Sequence, residues 1–351
     1  MKQLDEMKWE AFTLTGIFSI SATSSSIDRC KLNNSVGDIP YITRSEKNNG
    51  WDSLVCPQND YEQDSKNVIT IGLDTQTVFY QPCSFYTGQN VQILSNSNLN
   101  KYVAFFIIPL LKLQMRKFNW GGNGATLSRL KKICLMLPVS APHTPDYPYM
   151  EEYMRHKEKE MLTKYKKYID KHLSEIKDDG LNLGSRRWKE FNIGEVFPDI
   201  LRGKRLKTDD HIAGTMPYVS SSSQNNGVDN FVSNTDGVRI FANCLSLANS
   251  GSVGETFYHQ YDFVASDHVT KLANKSLDKY AYLFISSIVR RIAAKYSFNR
   301  EINDRRLKRE KIMLPVTSSS TPDYAFMSKF MQTIELKQLK AYIDQRLDSD
   351  C

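Results

Sequence analysis

Gly37-Asp38-Ile39-Pro40-Tyr41, followed by Asn48-Asn49-Gly50, is answered later in the chain by Gly214-Thr215-Met216-Pro217-Tyr218 with Asn225-Asn226-Gly227. Working outward, Lys8-Trp9-Glu10-Ala11-Phe12 returns as Arg187-Trp188-Lys189-Glu190-Phe191. Leu135-Met136-Leu137-Pro138-Val139 and Thr144-Pro145-Asp146-Tyr147 return as Ile312-Met313-Leu314-Pro315-Val316 and Thr321-Pro322-Asp323-Tyr324. Pro40 and Pro217, Pro138 and Pro315, and Tyr147 and Tyr324 all share an offset of about 177 residues, a domain-sized period rather than that of a solenoid. Two copies of one module predict a pseudo-twofold object with two similar but unequal sites.

Composition sets the outer bounds. A chain of 351 residues with 40% hydrophobic and 24% charged residues has room for two globular domains, each with its own core. The net charge of +7 leans towards an acidic partner such as nucleic acid without establishing one. Six cysteines lie scattered with no Cys-x-x-Cys pair, so neither a zinc site nor a disulfide framework is expected, and a reducing cytoplasm is the expected compartment. The amino-terminal residues lack the apolar core of a signal peptide. Residues 103–113, the most apolar stretch, are too few to span a bilayer and read as a buried helix.

Each copy divides into a mixed α/β part and a long helix. In the first copy, β-type runs at residues 68–71, 78–80 and 91–94 alternate with Gly, Asn and Ser turns. Helices are expected over 99–118 and 277–298. Thr144-Pro145-Asp146 and Thr321-Pro322-Asp323 read as helix starts, with the threonine as cap and the proline in the first helical turn. Apolar spacings of three and four, with Glu and Lys between, suit helices that pack on each other. The expected layout is a domain over 1–143, a helix over 144–179, a linker over 180–185, a second domain over 186–320 and a second helix over 321–351.

Catalytic patterns are sparse. There is no phosphate-binding Gly-x-x-x-x-Gly-Lys-Ser/Thr loop, no Gly-x-Ser-x-Gly elbow and no Asp/Asn-Pro-Pro-Tyr/Phe motif. Pro145-Asp146 with Glu175-Ile176-Lys177 mimics a nuclease pattern, yet the groups fall at opposite ends of a helix. Ser128-Arg129-Leu130-Lys131 lacks companion motifs. His268 reads as a hydrogen-bonded structural residue. Residues 121–124, Gly-Gly-Asn-Gly, could nest an anion or simply form a hairpin. No catalytic residue and no metal ligand is assigned.

Against this constant frame, polar segments diverge between copies. In the first, Arg44, Lys47, Lys117, Asn119, Trp120, Asn123, Arg129 and Lys131 are candidate DNA contacts. In the second, the candidates are Lys204, Arg205, Lys207, Ser221, Gln224, Asn225, Arg300, Asn303, Arg305 and Arg306. Arg, Gln, Asn and Ser suit base edges, whereas Lys and Arg suit phosphates. For any one of these residues a solvated surface position is an equal alternative, so the argument rests on the set.

These repeated segments, together with Phe85-Tyr86-Thr87-Gly88-Gln89-Asn90-Val91, Gly203-Lys204-Arg205 and Ser266-Asp267-His268-Val269, resemble the DNA specificity subunits of restriction–modification systems. Both the Type I subunits and the compact BcgI-like Type IIB subunits are similar, and the resemblance covers nearly the whole chain. It implies a mixed α/β fold with two target recognition domains, and two long helices paired as an antiparallel coiled coil. It also implies a non-catalytic chain that reads a bipartite double-stranded DNA site. The helices, through Met154, Met161, Tyr165, Ile169, Phe330, Ile334, Leu339 and Ile343, would dock methyltransferase or fused nuclease–methyltransferase subunits, two per chain. S-adenosylmethionine and Mg²⁺ would then sit on those partners, with no cofactor in this chain and no membrane association. Two rival readings are an orphan or decoy that occupies methyltransferases and a self-sufficient DNA-modifying enzyme. RNA binding is open on charge alone, although neither copy carries an RRM-like aromatic signature.

Overall fold

The computed structural model describes residues 2–33, 35–118, 124–176, 181–296 and 301–348. They form two compact units, Met1–Thr163 and Lys164–Cys351, and the division falls within the first long helix.

In the first unit, strand Trp9–Thr13 pairs antiparallel with Cys134–Ala141, setting Trp9 opposite Pro138. A four-stranded sheet follows in the order Ser19–Ala22, Val91–Ser95, Val68–Gly72, Val78–Gln81. A three-stranded sheet holds Trp51–Val55, Ile39–Ile42 and Tyr86–Thr87, with Tyr41 beside Tyr86 in parallel. The apolar run at 68–71 is buried on both faces: Ile69 and Ile71 meet Leu94 and, from helix Lys101–Met115, Ile107 and Leu111, while Val68 joins Ile42, Phe85 and Ile93 in a second cluster. Truncating any of these isoleucines or leucines to alanine costs about 2–5 kcal/mol.

The second unit repeats this plan. Trp188–Asn192 pairs with Lys311–Pro315, again setting Trp188 opposite Pro315. The four-stranded sheet runs Asp199–Arg202, Val269–Ala273, Cys244–Ala248, Thr256–His259. The other sheet gains a short strand, Ile240–Phe241, at its edge.

Side-chain contacts repeat as well as topology. Trp9 stacks on Phe106 at 6.2 Å and Trp188 on Phe284 at 6.3 Å. Their indole N–H groups donate to Leu4 O and Leu183 O. Lys101 pairs with Glu158 at 3.1 Å, and Lys279 pairs with Glu335 at 2.9 Å. The tryptophan of the opening motif thus fixes the entry strand, and the Lys–Glu pair fixes the long helix on its own domain.

The long helices are Tyr147–Glu175 and Tyr324–Asp348. Their start differs from the expectation. Asp146 and Asp323, not the threonines, accept from the amides of Tyr149 and Phe326, both at 3.0 Å. Thr144–Pro145 turns back and pairs antiparallel with the preceding strand, and Pro322 forms a bridge with Val316. The prolines hold the chain extended just before the turn, which leaves the aspartates to meet the orphan amides and the positive helix end. Within the second unit, Lys166 pairs with Asp344 and Asp170 with Lys340, so residue numbers rise on one helix as they fall on the other. That is antiparallel pairing, with Ile169 and Ile343 buried.

One further detail departs from the sequence reading. The expected helix over 277–298 is α-helical only across Lys279–Val289, then tightens to a 3-10 helix over Arg290–Lys295. Ser286 and Ser287 donate to Leu283 O and Phe284 O one turn back, which competes with the regular ladder. In the first copy Pro109 sits inside helix Lys101–Met115. Proline has no amide to offer the Phe105 carbonyl, and Phe105 lies on the exposed side where water can serve.

Candidate nucleic-acid interface

Three segments come together in each unit, and the same main-chain bonds join them in both. The first is the loop that ends in Asn-Asn-Gly. Asn48, Asn49 and Gly50 have φ of 49°, 58° and 79°; Asn225, Asn226 and Gly227 have 49°, 55° and 79°. Consecutive left-handed residues demand Asn and Gly, which explains why this tripeptide recurs. Thr43 N donates to Gly50 O at 2.8 Å, and Ser220 N donates to Gly227 O at 2.9 Å. Gly50 N and Gly227 N close the turn on Lys47 O and Gln224 O. Ser45 and Ser222 accept from the amides of Lys47 and Gln224. One backbone shape therefore presents Arg44-Ser45-Glu46-Lys47 in the first copy and Ser221-Ser222-Ser223-Gln224 in the second.

The second segment is a hairpin tip, residues 73–77 and 249–255, none of them a candidate contact from sequence. Ser252 N donates to Ser221 O at 3.1 Å, tying tip to loop in the second unit. In the first unit the tie is the ion pair of Arg44 with Asp74. The clustered turn residues Gly72, Asp74 and Thr75, and Asn249-Ser250-Gly251-Ser252, signalled tight turns, but nothing local signalled that they face the loops.

The third segment follows the buried helix. Ala125 N donates to Leu73 O and Ile302 N to Asn249 O, both at 3.1 Å. These bonds bring Arg129 and Asn303 alongside the tips, although both have structural duties. Arg129 Nη1 donates to Gly124 O at 2.9 Å, and Asn303 caps helix Asp304–Arg309 by accepting from Arg306 N at 2.9 Å. Lys117 binds Gln114 at 2.5 Å, while Lys131, Arg305 and Arg306 are exposed. Asn119, Trp120, Asn123 and Arg300 lie outside the described residues.

Beside the loop, Gly203-Lys204-Arg205-Leu206-Lys207 runs along the sheet edge. Gly203 N and Lys204 N donate to Val269 O and Ala265 O, and a Cβ on Gly203 would collide with Ser266 O. The backbone is thus clamped while Lys204, Arg205 and Lys207 project exposed. Tyr218 OH donates to Leu206 O, and Tyr41 OH donates to Ile27 O in the first copy. Burial pushes both hydroxyls above the usual tyrosine value, so they stay protonated donors. Arg29, also missed from sequence, pairs with Asp52 at 3.3 Å on the equivalent edge of the first unit.

His268 accordingly has a structural setting, with its Nδ1 2.6 Å from Ser250 Oγ and its carbonyl accepting from Asn249 N. Of the helix residues, Met154 and Phe330 pack on their own cores and Ile169 and Ile343 are buried in the helix pairing. Met161, Tyr165, Ile334 and Leu339 remain exposed. Among the described residues no cluster of His, Cys, Asp and Glu could hold a metal, and no helix is long and apolar enough to cross a membrane.

Known proteins align over nearly the full length of the chain. The chain is 29% identical over 346 residues to the specificity subunit of the Type II restriction enzyme BcgI from Heyndrickxia coagulans, covering 97% of this chain and 99% of that one. A Type I restriction–modification S subunit from M. genitalium matches at 16% identity and a TM-score of 0.42, covering 99% of this chain and 94% of that one. The HsdS subunit from Thermoanaerobacter tengcongensis matches at 12% identity and a TM-score of 0.34, covering 96% and 91%. The family model for the Type I restriction modification DNA specificity domain matches twice, over residues 6–169 and 185–343, one match for each copy. With most of its length accounted for by that repeated domain, the chain belongs to the family of DNA specificity subunits of restriction–modification systems, which direct sequence choice and carry no catalytic site of their own.

Proposed function

We propose that this chain reads an asymmetric, two-part duplex site with a fixed non-specific spacer, one unit to each half, for adenine-N6 methyltransferase partners. The observation that carries this reading is the loop frame: closely matching turn geometry at Asn48–Gly50 and Asn225–Gly227, with different side chains mounted on it. Equal loops would read a palindrome; unequal loops read two different half-sites.

The helices of 29 and 25 residues, at 1.5 Å per residue, extend roughly 38–44 Å. That is slightly more than one turn of B-DNA, the span between half-site centres in dimeric readers. Exposed Met161, Tyr165 and Leu339 offer apolar surface for partner helices. Partners would carry S-adenosylmethionine and Mg²⁺ and would flip the target adenine, two of them per chain. The near full-length match to the BcgI subunit favours a compact system of that kind.

The test is N6-methyladenine mapping by single-molecule sequencing in the native host, with and without this gene. Loss of one gapped, two-part motif on deletion is expected. A continuous motif, or an unchanged methylome, would refute the reading.

A further inference from the structure

We infer that Arg44, buttressed by Asp74, reads the guanine of a G·C pair in the half-site of the first unit. This rests on the bipartite reading above and assigns one specificity determinant within it.

Thr43 and Arg44 line two adjoining clefts. The larger, of about 590 Å³, is walled by Arg44, Ser45, Glu46, Asp74, Thr75 and Gln76. The smaller lies towards Asp28, Arg29 and Gly88. Arg44 therefore borders both, with its side chain 40% exposed.

The turn that carries Asp74 is held by several bonds. Gln76 Nε2 donates to Leu73 O at 3.0 Å and to Asp74 O at 2.7 Å. Leu73 N donates to Asn90 O at 2.9 Å, and Gly72 N to Thr77 O at 3.0 Å. A Cβ on Gly72 would stand 2.5 Å from Thr75 Oγ1, so the turn is closely packed. From this closely packed turn the Asp74 carboxylate engages Arg44 Nη1 and leaves the other guanidinium donors for a ligand in the cleft.

Charge decides what that ligand is. The larger cleft holds one guanidinium and two carboxylates, Glu46 and Asp74, which repel a phosphate. A base edge fits instead. Guanine O6 and N7 accept two parallel N–H bonds from arginine, and the paired cytosine N4 is a donor that a carboxylate such as Glu46 can accept from. The equivalent loop of the second unit, Ser221-Ser222-Ser223-Gln224, carries no charge, and Ser252 N occupies Ser221 O there. The second half-site is consequently read by different chemistry.

The test introduces Arg44→Ala and Asp74→Asn at the native gene and maps N6-methyladenine in each strain. Expected is a motif still gapped, with its second half unchanged and one G·C position of the other half relaxed. Discrimination at that position should fall about 10- to 100-fold for Arg44→Ala. Asp74→Asn, isosteric with the native side chain, should relax the same position less. An unchanged motif, or loss of methylation alike at all positions of both halves in both variants, overturns the inference. A wild-type motif without a gap would instead defeat the bipartite reading itself.

Discussion

At the scale of single residues, the two copies solve one burial problem in two ways. Gln81 and His259 occupy the same register, opposite Val68 and Cys244 on the neighbouring strand. Gln81 Nε2 donates to Thr70 Oγ1 at 3.0 Å, while His259 Nε2 lies 2.8 Å from Ser246 Oγ. Glutamine is neutral at every pH; histidine is not. Burial pushes the His259 imidazole down to about 4. Between about pH 6.5 and 4 the unfolded chain takes up a proton there that the folded chain refuses. Stability from this group thus falls with acid at up to about 1.4 kcal/mol per unit, levelling off below pH 4. His259→Gln, which installs the residue of the first copy, should spare on the order of 2 kcal/mol of the loss between pH 7 and 5. Denaturant titrations of both proteins at the two pH values check this, and equal losses would count against it. Such detail was not legible in sequence, because the partners of Gln81 and His259 lie on another strand and no local pattern marks them.

At the scale of elements, the helix starts offer the sharpest test. Asp146→Ala and Asp323→Ala should each cost about 1 kcal/mol by stripping an amide partner from a helix amino terminus. Thr144→Ala and Thr321→Ala should cost less, since their hydroxyls do not cap the helices. Thermal melts of the four variants distinguish the assignments. Here the sequence was legible in kind and misplaced by two residues: Thr-Pro-Asp announced a start, but the strand pairing that keeps Thr144 and Pro145 extended is a tertiary fact. Strands 68–71 and 78–80 were legible for the opposite reason, since β-branched and aromatic runs between turns need no distant partner to be recognised. The turns between such runs were expected, yet the place of these tips beside the Asn-Asn-Gly loops follows from contacts such as Ser252 N to Ser221 O and the Arg44–Asp74 ion pair, each made between segments well apart in sequence.

At the scale of the whole molecule, the repeat made the family legible, because each weak motif recurs in the same order. The candidate DNA-binding residues were legible as loops but not as roles. Arg129 and Asn303 turn out to serve the fold as well, whereas Lys204, Arg205 and Lys207 stand exposed on a clamped backbone. Replacing those three by alanine should weaken binding about equally on all duplexes and lower the salt slope by roughly one unit for each phosphate no longer neutralised. Fluorescence anisotropy across a salt series, on cognate and scrambled duplexes, measures it; a loss confined to the cognate duplex would mean that these residues touch bases.

The loop closure shared by the two copies has a consequence for evolution. It draws on main-chain groups, on a glycine with two asparagines, and on one serine in each copy. Glu46 in one copy, and Ser223 and Gln224 in the other, take no part in the bonds of that closure through a side-chain atom. Substitutions there are nearly neutral for folding while they change what is bound. Target preference can then drift under selection in one half at a time, and a lineage can acquire new sequence choices without passing through an unfolded ancestor.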